Sequence, residues 1–272
     1  MNIESSNNED LTNREENIPA NQNCKRLMLG DDAPLFSANT TFGKINLNDY
    51  KGKWLILFSH PGDFTPVCTT EFLSFSKMYP EFKKRNCELL GLSIDSIPSH
   101  LAWINNILKT TGIQIPFPII ADRDMAIAKQ YGMIAPNASS TQTIRSVFFI
   151  CPNQKIRAIL EYPLTNGRNI GEILRLLDAL QITDKEHVMT PANWLPGQPT
   201  IFPSPKTYQE LIDNKNNING FNCIDWYLCF NISNNSNISN TSNNIAQTTN
   251  DIAQNCLDVE NINTCIENPN QC

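Results

Sequence analysis

The chain has 272 residues, 40% of them apolar, and a formal net charge of −6 at pH 7. This length allows one large domain or two small ones with a sizeable core, and the lack of a basic cluster gives no support to binding of nucleic acid or an anionic membrane. The N-terminus lacks the charged and apolar regions of a signal peptide, and no apolar run is long enough to span a bilayer, so we expect a soluble, cytoplasmic protein.

The first predicted elements lead to a buried strand. Residues 1–26 are polar and aperiodic, which is typical of a disordered arm. Short extended pieces separated by turn residues follow from 27 to 50, and the apolar run 54–58 has the composition of a buried strand. Pro61 and Gly62 then interrupt the strand pattern, which predicts a loop.

A helix with a cysteine in its first turn is predicted directly after this loop. Aromatic residues recur at helical spacing, Thr65 or Thr69 is available as the N-cap, and Pro66 is tolerated in a first turn. Cys68 then lies where unpaired N–H groups and the helix dipole favour an anion, which favours a nucleophilic thiolate over a buried apolar cysteine. Pro80 predicts a kink or a break further along the helix.

Strands and helices alternate up to residue 183. The apolar segment 87–95 is a predicted strand, parallel to 54–58. Ser99 is a candidate cap for a helix that carries Leu101, Ile104, Ile107 and Leu108. Two strands and an amphipathic helix follow at 144–150, 155–160 and 169–180. This order predicts an α/β fold with a mixed central sheet and helices on both faces.

The composition changes after residue 183. Frequent prolines between 187 and 205 predict an extended segment, aromatic residues and two cysteines occupy 221–230, and Asn, Ser and Thr dominate 231–250. We therefore predict a disordered arm (1–26), a main domain (27–183), a C-terminal extension (184–230) and a disordered, cysteine-containing tail (231–272).

The chain contains nine cysteines, an odd number with uneven spacing. Five of them lie in the C-terminal part: Cys223, Cys229, Cys256, Cys265 and Cys272. A secreted domain stapled by disulfides would distribute cysteine pairs through its core, so this pattern favours redox chemistry with a cysteine-rich tail. Zinc sites more often use closely spaced cysteine pairs, and no histidine follows His187, so we expect no metal site.

Residues 60–71, with the sequence HPGDFTPVCTTE, contain the pattern Pro-x3-Thr-x2-Cys formed by Pro61, Thr65 and Cys68. This pattern resembles the active-site motif of peroxiredoxins, and the longer segment is similar to their one-cysteine subfamily. The similarity continues in LSIDS (92–96), PFPII (116–120), GRNIGEILR (167–175) and TPANW (190–194). The resemblance covers roughly residues 27–230 and implies a thioredoxin-like fold with an extended C-terminal arm.

The resemblance implies a peroxidase that reduces hydrogen peroxide and organic hydroperoxides without metal, haem or flavin. Attack on an O–O bond needs a negative sulfur, fixed donors and stabilisation of the departing oxyanion. Cys68 supplies the sulfur, Thr65 a nearby hydroxyl, and Pro61 shields the thiolate. From the residues alone, Arg145 is either a surface salt-bridge residue or a fixed donor; the resemblance implies that it lies against Cys68.

The resemblance assigns three further residues to the substrate pocket. It places His60 at the pocket wall, with a satisfied structural histidine as the alternative. Glu71 faces the pocket or forms a capping interaction with Thr69 or Arg168. Arg168 resembles a second pocket arginine of the subfamily.

Peroxide oxidation leaves a sulfenic acid on Cys68, which must condense with a thiol before further oxidation. Segment 221–230, FNCIDWYLCF, resembles the C-terminal extension of archaeal-type peroxiredoxins, in which a tail cysteine of a neighbouring subunit reaches the active site. We favour Cys229 as the resolving cysteine and Cys223 as its partner in disulfide exchange. The family also implies a thioredoxin- or glutaredoxin-like reductant and a homodimer assembled into a decamer.

Two alternatives stay open at this point. The fold acts as a redox-regulated chaperone or scaffold, or the protein is a strictly one-cysteine peroxidase with an idle tail. Loss of peroxide consumption in Cys68→Ser separates the enzyme from the binding role.

Overall fold

The structure is a computed structural model that describes residues 26–216 and 221–231. The predicted arm and tail fall almost entirely outside these residues, and so do Cys256, Cys265 and Cys272. The chain divides between Leu174 and Arg175 into two units. Within the described residues, every helix is too short or too polar to cross a bilayer.

The first unit contains seven strands: β1 (Ser37–Thr40), β2 (Gly43–Asn46), β3 (Trp54–Ser59), β4 (Cys87–Ser93), β5 (Ile119–Ala121), β6 (Arg145–Ile150) and β7 (Ile156–Tyr162). They form one sheet in the order β2-β1-β5-β4-β3-β6-β7. β4 pairs in parallel with β3 and β5, and the other pairings are antiparallel. The predicted α/β class with a mixed sheet is confirmed.

The centre of this sheet leads to the candidate site. β3 is buried at every residue, because it has hydrogen-bonded neighbours on both edges and apolar side chains on both faces. β6 is buried throughout in the same way. Since β3 and β6 are antiparallel, the last residues of β3 lie beside the first residues of β6.

The first unit also contains the helices α1 (Pro66–Lys84), α2 (Ile97–Thr111) and α3 (Ala126–Gln130) and a short 3-10 helix (Leu47–Tyr50). α1 begins directly after Thr65, which is its N-cap residue. The sequence predicted a kink or a break at Pro80, and the break is wrong because the helix continues through this residue. Phe75 and Phe82 are fully buried on either side, so their packing outweighs the hydrogen bond that a proline cannot donate.

The cap and the buried face of α2 differ from the prediction. Ser96 is the N-cap residue, and its hydroxyl accepts a hydrogen bond from the Ser99 backbone N–H. Leu101 and Leu108 are 45% and 43% exposed. The buried residues follow an i, i+3, i+7 spacing: His100, Trp103 and Ile107. This stripe turns two rings inward, which buries more side-chain surface than the leucine stripe would.

The second unit contains most of α4 (Ile170–Glu186), together with α5 (Tyr208–Asn216), β8 (Thr200–Ile201), β9 (Phe221–Asp225) and β10 (Leu228–Asn231). Its strands pair antiparallel in the order β8-β10-β9. β9 and β10 form a hairpin that the sequence patterns did not predict.

Candidate active site

The order of the strands brings Cys68 and Arg145 together. The loop 60–65 leads from the end of β3 into the first turn of α1, which carries Cys68. Arg145 is the first residue of β6 and lies next to the last residues of β3, because the two strands run antiparallel. Its Nη1 donates to the Cys68 Sγ at 3.3 Å. Arg145 is only 2% exposed, which rules out the interpretation as a surface salt bridge.

The guanidinium of Arg145 is fixed by acceptors on its other sides. Nε and Nη2 both donate to the backbone carbonyl of Leu164, at 3.0 and 2.7 Å. Nη1 also donates to Glu71 Oε2 at 2.7 Å. A buried guanidinium held in this way keeps its orientation when a substrate arrives, as an electrostatic catalyst must.

Glu71 is the carboxylate that both arginines share. Its Oε1 accepts from the backbone N–H and Nε of Arg168, both at 2.9 Å, and its Oε2 accepts from Arg168 Nη2 at 2.7 Å. Burial raises the pKa of Glu71, but the charge and hydrogen bonds of Arg168, together with the charge of Arg145, outweigh burial and hold the pKa below its usual value. Of the two predicted contacts of Glu71, the structure forms the one with Arg168.

The charges of this buried cluster do not cancel without the sulfur. Arg145 and Arg168 are positive and Glu71 is negative, which leaves one net positive charge beside Cys68. An anionic sulfur balances that charge, and only the anionic form of a thiol is a strong nucleophile.

Thr65 lies in the loop that leads to Cys68. Its Oγ1 donates to the backbone carbonyl of Gly62 at 2.9 Å. This bond uses the only hydrogen of the hydroxyl, so the oxygen can meet another group only as an acceptor. Pro61 is buried at the start of the loop, and Phe64 has a φ of 55°, a conformation that L-residues rarely adopt.

His60 is completely buried, and only one of its two ring nitrogens has a hydrogen-bond partner among the described residues. Its Nε2 lies 3.2 Å from Asp63 Oδ1, and its ring stacks on Trp103 at 5.3 Å between centroids. Burial lowers the pKa of His60, which the hydrogen bond with Asp63 offsets only in part. The other ring nitrogen, Nδ1, is buried and has no hydrogen-bond partner among the described residues, so His60 is not the fully satisfied histidine of the structural alternative, and its place at the pocket wall stays a prediction.

Asp63 and His100 are two residues of the site region that sequence reasoning missed. His100 Nδ1 lies 3.0 and 2.9 Å from the two carboxylate oxygens of Asp63, and His100 Nε2 lies 3.2 Å from the backbone carbonyl of Ile120. Asp63 stands inside the motif, which was a usable signal. His100 was detectable only through its three-residue spacing from Trp103 on α2.

His60, Asp63 and His100 also offer one potential metal ligand each, and the three atoms lie within 4.8 Å of one another. The expectation of no metal site did not foresee this group. Each of these atoms already takes part in a short contact within the group, so we assign the three side chains to a hydrogen-bonded network.

The two cysteines of the extension lie opposite each other in the β9–β10 hairpin. Cys223 and Cys229 are register partners and are joined by a disulfide, with Cα atoms 4.0 Å apart. Cys68, Cys87 and Cys151 are free and buried among the described residues. The hairpin therefore pairs the two cysteines, and their roles as resolving cysteine and exchange partner stay predictions.

Comparison with known proteins decides the family. A profile of the AhpC/TSA family matches residues 29–159, and that of the C-terminal domain of 1-Cys peroxiredoxin matches residues 179–215. Peroxiredoxin 2 of Caldanaerobacter subterraneus subsp. tengcongensis is 60% identical over 202 residues, which cover 74% of this chain and 91% of that protein. The chain belongs to the peroxiredoxin family. A peroxiredoxin of Aquifex aeolicus is 53% identical over 74% of this chain and 95% of its own length.

Solved peroxiredoxin structures agree with this assignment. The yeast mitochondrial 1-Cys peroxiredoxin matches with a TM-score of 0.68 and 46% identity, over 75% of this chain and 99% of that chain. A variant of peroxiredoxin 6 from Arenicola marina matches with a TM-score of 0.68 and 35% identity, over 75% and 97% of the two chains. As a peroxiredoxin, the protein is a thiol-dependent peroxidase, an oxidoreductase that acts on peroxides.

Proposed function

We propose that Cys68 is the residue that reacts with peroxide and that Arg145 is its principal electrostatic partner. The contact that carries this proposal is the 3.3 Å approach of Arg145 Nη1 to the Cys68 Sγ. The sulfur attacks one peroxide oxygen, an S–O bond forms as the O–O bond breaks, and the departing oxygen leaves with the electron pair and then takes a proton. The products are a Cys68 sulfenic acid and water or an alcohol.

The surrounding residues have distinct proposed roles. Arg145 stabilises the negative charge on the departing oxygen, and Glu71 and Arg168 keep its guanidinium oriented. The Thr65 hydroxyl accepts a hydrogen bond from the peroxide, because its own hydrogen is given to Gly62. Pro61 limits the access of water to the thiolate.

We propose that the hairpin cysteines regenerate Cys68. The Cys229 sulfur attacks the sulfenic sulfur, which forms a Cys68–Cys229 disulfide and releases water. The Cys223 thiolate then attacks the Cys229 sulfur, which frees the Cys68 thiol and leaves the Cys223–Cys229 pair for a dithiol reductant. Cys68 is completely buried, so the first turn of α1 must open before another thiol can reach it.

Several wider features belong to the same proposal. The substrates are hydrogen peroxide and organic hydroperoxides, and the reductant is a thioredoxin- or glutaredoxin-like dithiol protein. The similar yeast mitochondrial protein is resolved via glutathione and thioredoxin systems. Sequence pattern and family resemblance support the four-part organisation at 1–26, 27–183, 184–230 and 231–272, the homodimer and decamer, and the cytoplasmic location.

The test compares wild type, Cys68→Ser and Cys87→Ser in peroxide consumption with thioredoxin, its reductase and NADPH. Cys87 is a matched control because it is also buried and free, and burial and the nearby Glu88 raise the pKa of its thiol. We expect Cys68→Ser to fall to background and Cys87→Ser to stay within about twofold of wild type. Turnover that survives in Cys68→Ser, or is lost in Cys87→Ser, contradicts the assignment.

A further inference from the structure

Asp63, the acidic residue of the motif, forms hydrogen bonds with three residues that take no part in the proposed reaction. The Asp63 carboxylate faces His60 on one side and His100 of α2 on the other, while its backbone N–H donates to Asp95 Oδ2 at 2.9 Å. The Asp63 side chain is only 1% exposed. The segment 95–100 therefore meets the Cys68 loop at one residue, contacting both the backbone and the side chain of Asp63.

His100 is suited to anchor this carboxylate. Both of its ring nitrogens face oxygen acceptors, one on Asp63 and one on the backbone carbonyl of Ile120. The ring is therefore held at both ends, so it cannot rotate without losing the contact with Asp63 or the contact with Ile120. The α2 helix thereby ties the loop to β5, which begins at Ile119 and includes Ile120.

The loop needs such an anchor because of its shape. Phe64, the next residue, holds a φ of 55° although its side chain is 58% exposed and contributes little packing. Such a backbone persists only where neighbouring contacts fix it. On the other side of Asp63, the carbonyl of Gly62 accepts the Thr65 hydroxyl. A shift of Asp63 therefore reorients the hydroxyl that stands three residues before Cys68.

We propose that Asp63 and His100 form a positioning pair that fixes the 60–65 loop in the geometry required for peroxide attack. Neither residue touches the reacting atoms. The pair acts through Gly62 and Thr65 and so controls the alignment of peroxide with the Cys68 sulfur. This inference rests on the proposed role of Cys68 and adds two residues, one of them on a separate helix, to the machinery that serves it.

The experiment compares two reactions of Cys68 in the full-length reduced protein. Oxidation by hydrogen peroxide, followed by stopped-flow fluorescence, needs both a thiolate and an aligned peroxide. Alkylation by iodoacetamide, followed by mass spectrometry, needs a thiolate and the same access to the buried Cys68, but no aligned O–O bond. A purely structural role would change both reactions by a similar factor, or would speed alkylation by loosening the loop, whereas a positioning role lowers the peroxide rate constant and leaves the alkylation rate constant nearly unchanged.

For Asp63→Asn and His100→Leu we expect the peroxide rate constant to fall about tenfold or more, with the alkylation rate constant within about threefold of wild type. The peroxide rate constant of the double variant should lie within about twofold of that of the slower single variant, because both substitutions remove the same contact. His100→Gln keeps an amide donor and should recover part of the loss. It also keeps the test available if a more severe variant fails to fold.

Asp122→Asn is the matched control. Asp122 is a buried aspartate of the same unit that accepts hydrogen bonds from the Ile127 and Ala128 backbone N–H groups at the start of α3. The ratio of the peroxide rate constant to the alkylation rate constant in Asp122→Asn should match that of wild type. Equal loss of both reactions, an unchanged ratio, or losses that multiply in the double variant overturn the positioning pair. Slow peroxide oxidation of wild-type Cys68 instead overturns the proposed function itself.

Discussion

Cys68 and the Cys223–Cys229 pair are held by contacts of very different sequence separation. The arginine that contacts the Cys68 sulfur is 77 residues away in the chain, and Arg168 is 97 residues from the Glu71 that it binds. The hairpin cysteines are six residues apart. The environment of Cys68 therefore depends on the tertiary fold of the first unit, whereas the hairpin pair depends on local strand register.

Cys68 and the hairpin cysteines also differ in burial. Cys68 is completely buried beside fixed charges, while Cys223 and Cys229 are half-buried and already paired. We infer that distant substitutions alter the peroxide reaction at Cys68 and leave the hairpin disulfide intact, and that substitutions in the hairpin do the reverse.

The largest effect is expected at Arg145. In Arg145→Met the rate constant for oxidation of Cys68 by hydrogen peroxide should fall about 100-fold or more, because a preorganised donor and its charge are removed. The rate constant of Arg145→Lys should lie between those of wild type and Arg145→Met, because a lysine keeps the positive charge but lacks the planar set of N–H donors. Stopped-flow fluorescence measures the rate constant.

Arg157→Met is the control for Arg145, since Arg157 lies on β7 with its guanidinium 5.8 Å from the centre of the Trp54 ring. It should oxidise like wild type. Normal oxidation of Cys68 in Arg145→Met would show that the 3.3 Å contact is incidental.

The next largest effect is expected on the stability of the fold when Glu71 is substituted. Glu71→Gln should lower the free energy of unfolding by about 2 kcal/mol, because charge-assisted hydrogen bonds to two buried arginines are weakened. Guanidinium unfolding curves measure it. Glu81→Gln is the control on the same helix, where the carboxylate bonds to Lys84 and Arg85 at the surface, and we expect no measurable change.

The same pair of variants gives a pH test. The pKa of Glu71 is lower in the folded protein than in the unfolded chain. Its contribution is therefore fully present above the pKa of a free glutamate, about 4.3, and is lost as the pH falls through the lowered folded value. The stability gap between wild type and Glu71→Gln should shrink below about pH 4. A gap that stays constant with pH contradicts the ionised carboxylate.

Substitutions in the hairpin should affect turnover without affecting oxidation. Cys229→Ser should lower thioredoxin-supported turnover about tenfold while the first oxidation of Cys68 keeps its rate constant. Cys223→Ser should accumulate a Cys68–Cys229 disulfide, which mass mapping under non-reducing conditions detects.

A chain truncated after Phe230 is the control for the hairpin, and it should turn over like wild type. Wild-type turnover in both single variants supports an idle tail. If only the truncated chain is inactive, resolution belongs to the terminal cysteines instead.

The smallest effect is expected at Thr65. Thr65→Val should slow Cys68 oxidation about fivefold, the equivalent of one neutral hydrogen bond worth about 1 kcal/mol. Thr70→Val is the matched control, because Thr70 lies in the same part of α1 and donates to the Val67 carbonyl at the surface. An equal effect of both substitutions points to a general loss of helix stability.

The sequence by itself determined the elements whose signals are local. The buried strand at 54–58 follows from its apolar run, and the start of α1, with Cys68 in its first turn, follows from the proline at the first helical position and the helical spacing of aromatic residues. Thr65 occupies the N-cap position, but its hydroxyl donates to Gly62 and makes no capping hydrogen bond. The motif around Cys68 also determined the family. The two hairpin cysteines were found as candidates, but the hairpin that joins them was not.

Only the tertiary structure decided which distant groups surround Cys68. Strand order places Arg145 beside the end of β3, and packing decides that α2 turns His100 inward and that α1 continues through Pro80. The sequence offered Leu101 as an equally good core residue for α2. Contacts between residues far apart in the chain depend on how all the strands and helices pack at once, and no local pattern of residues contains that information.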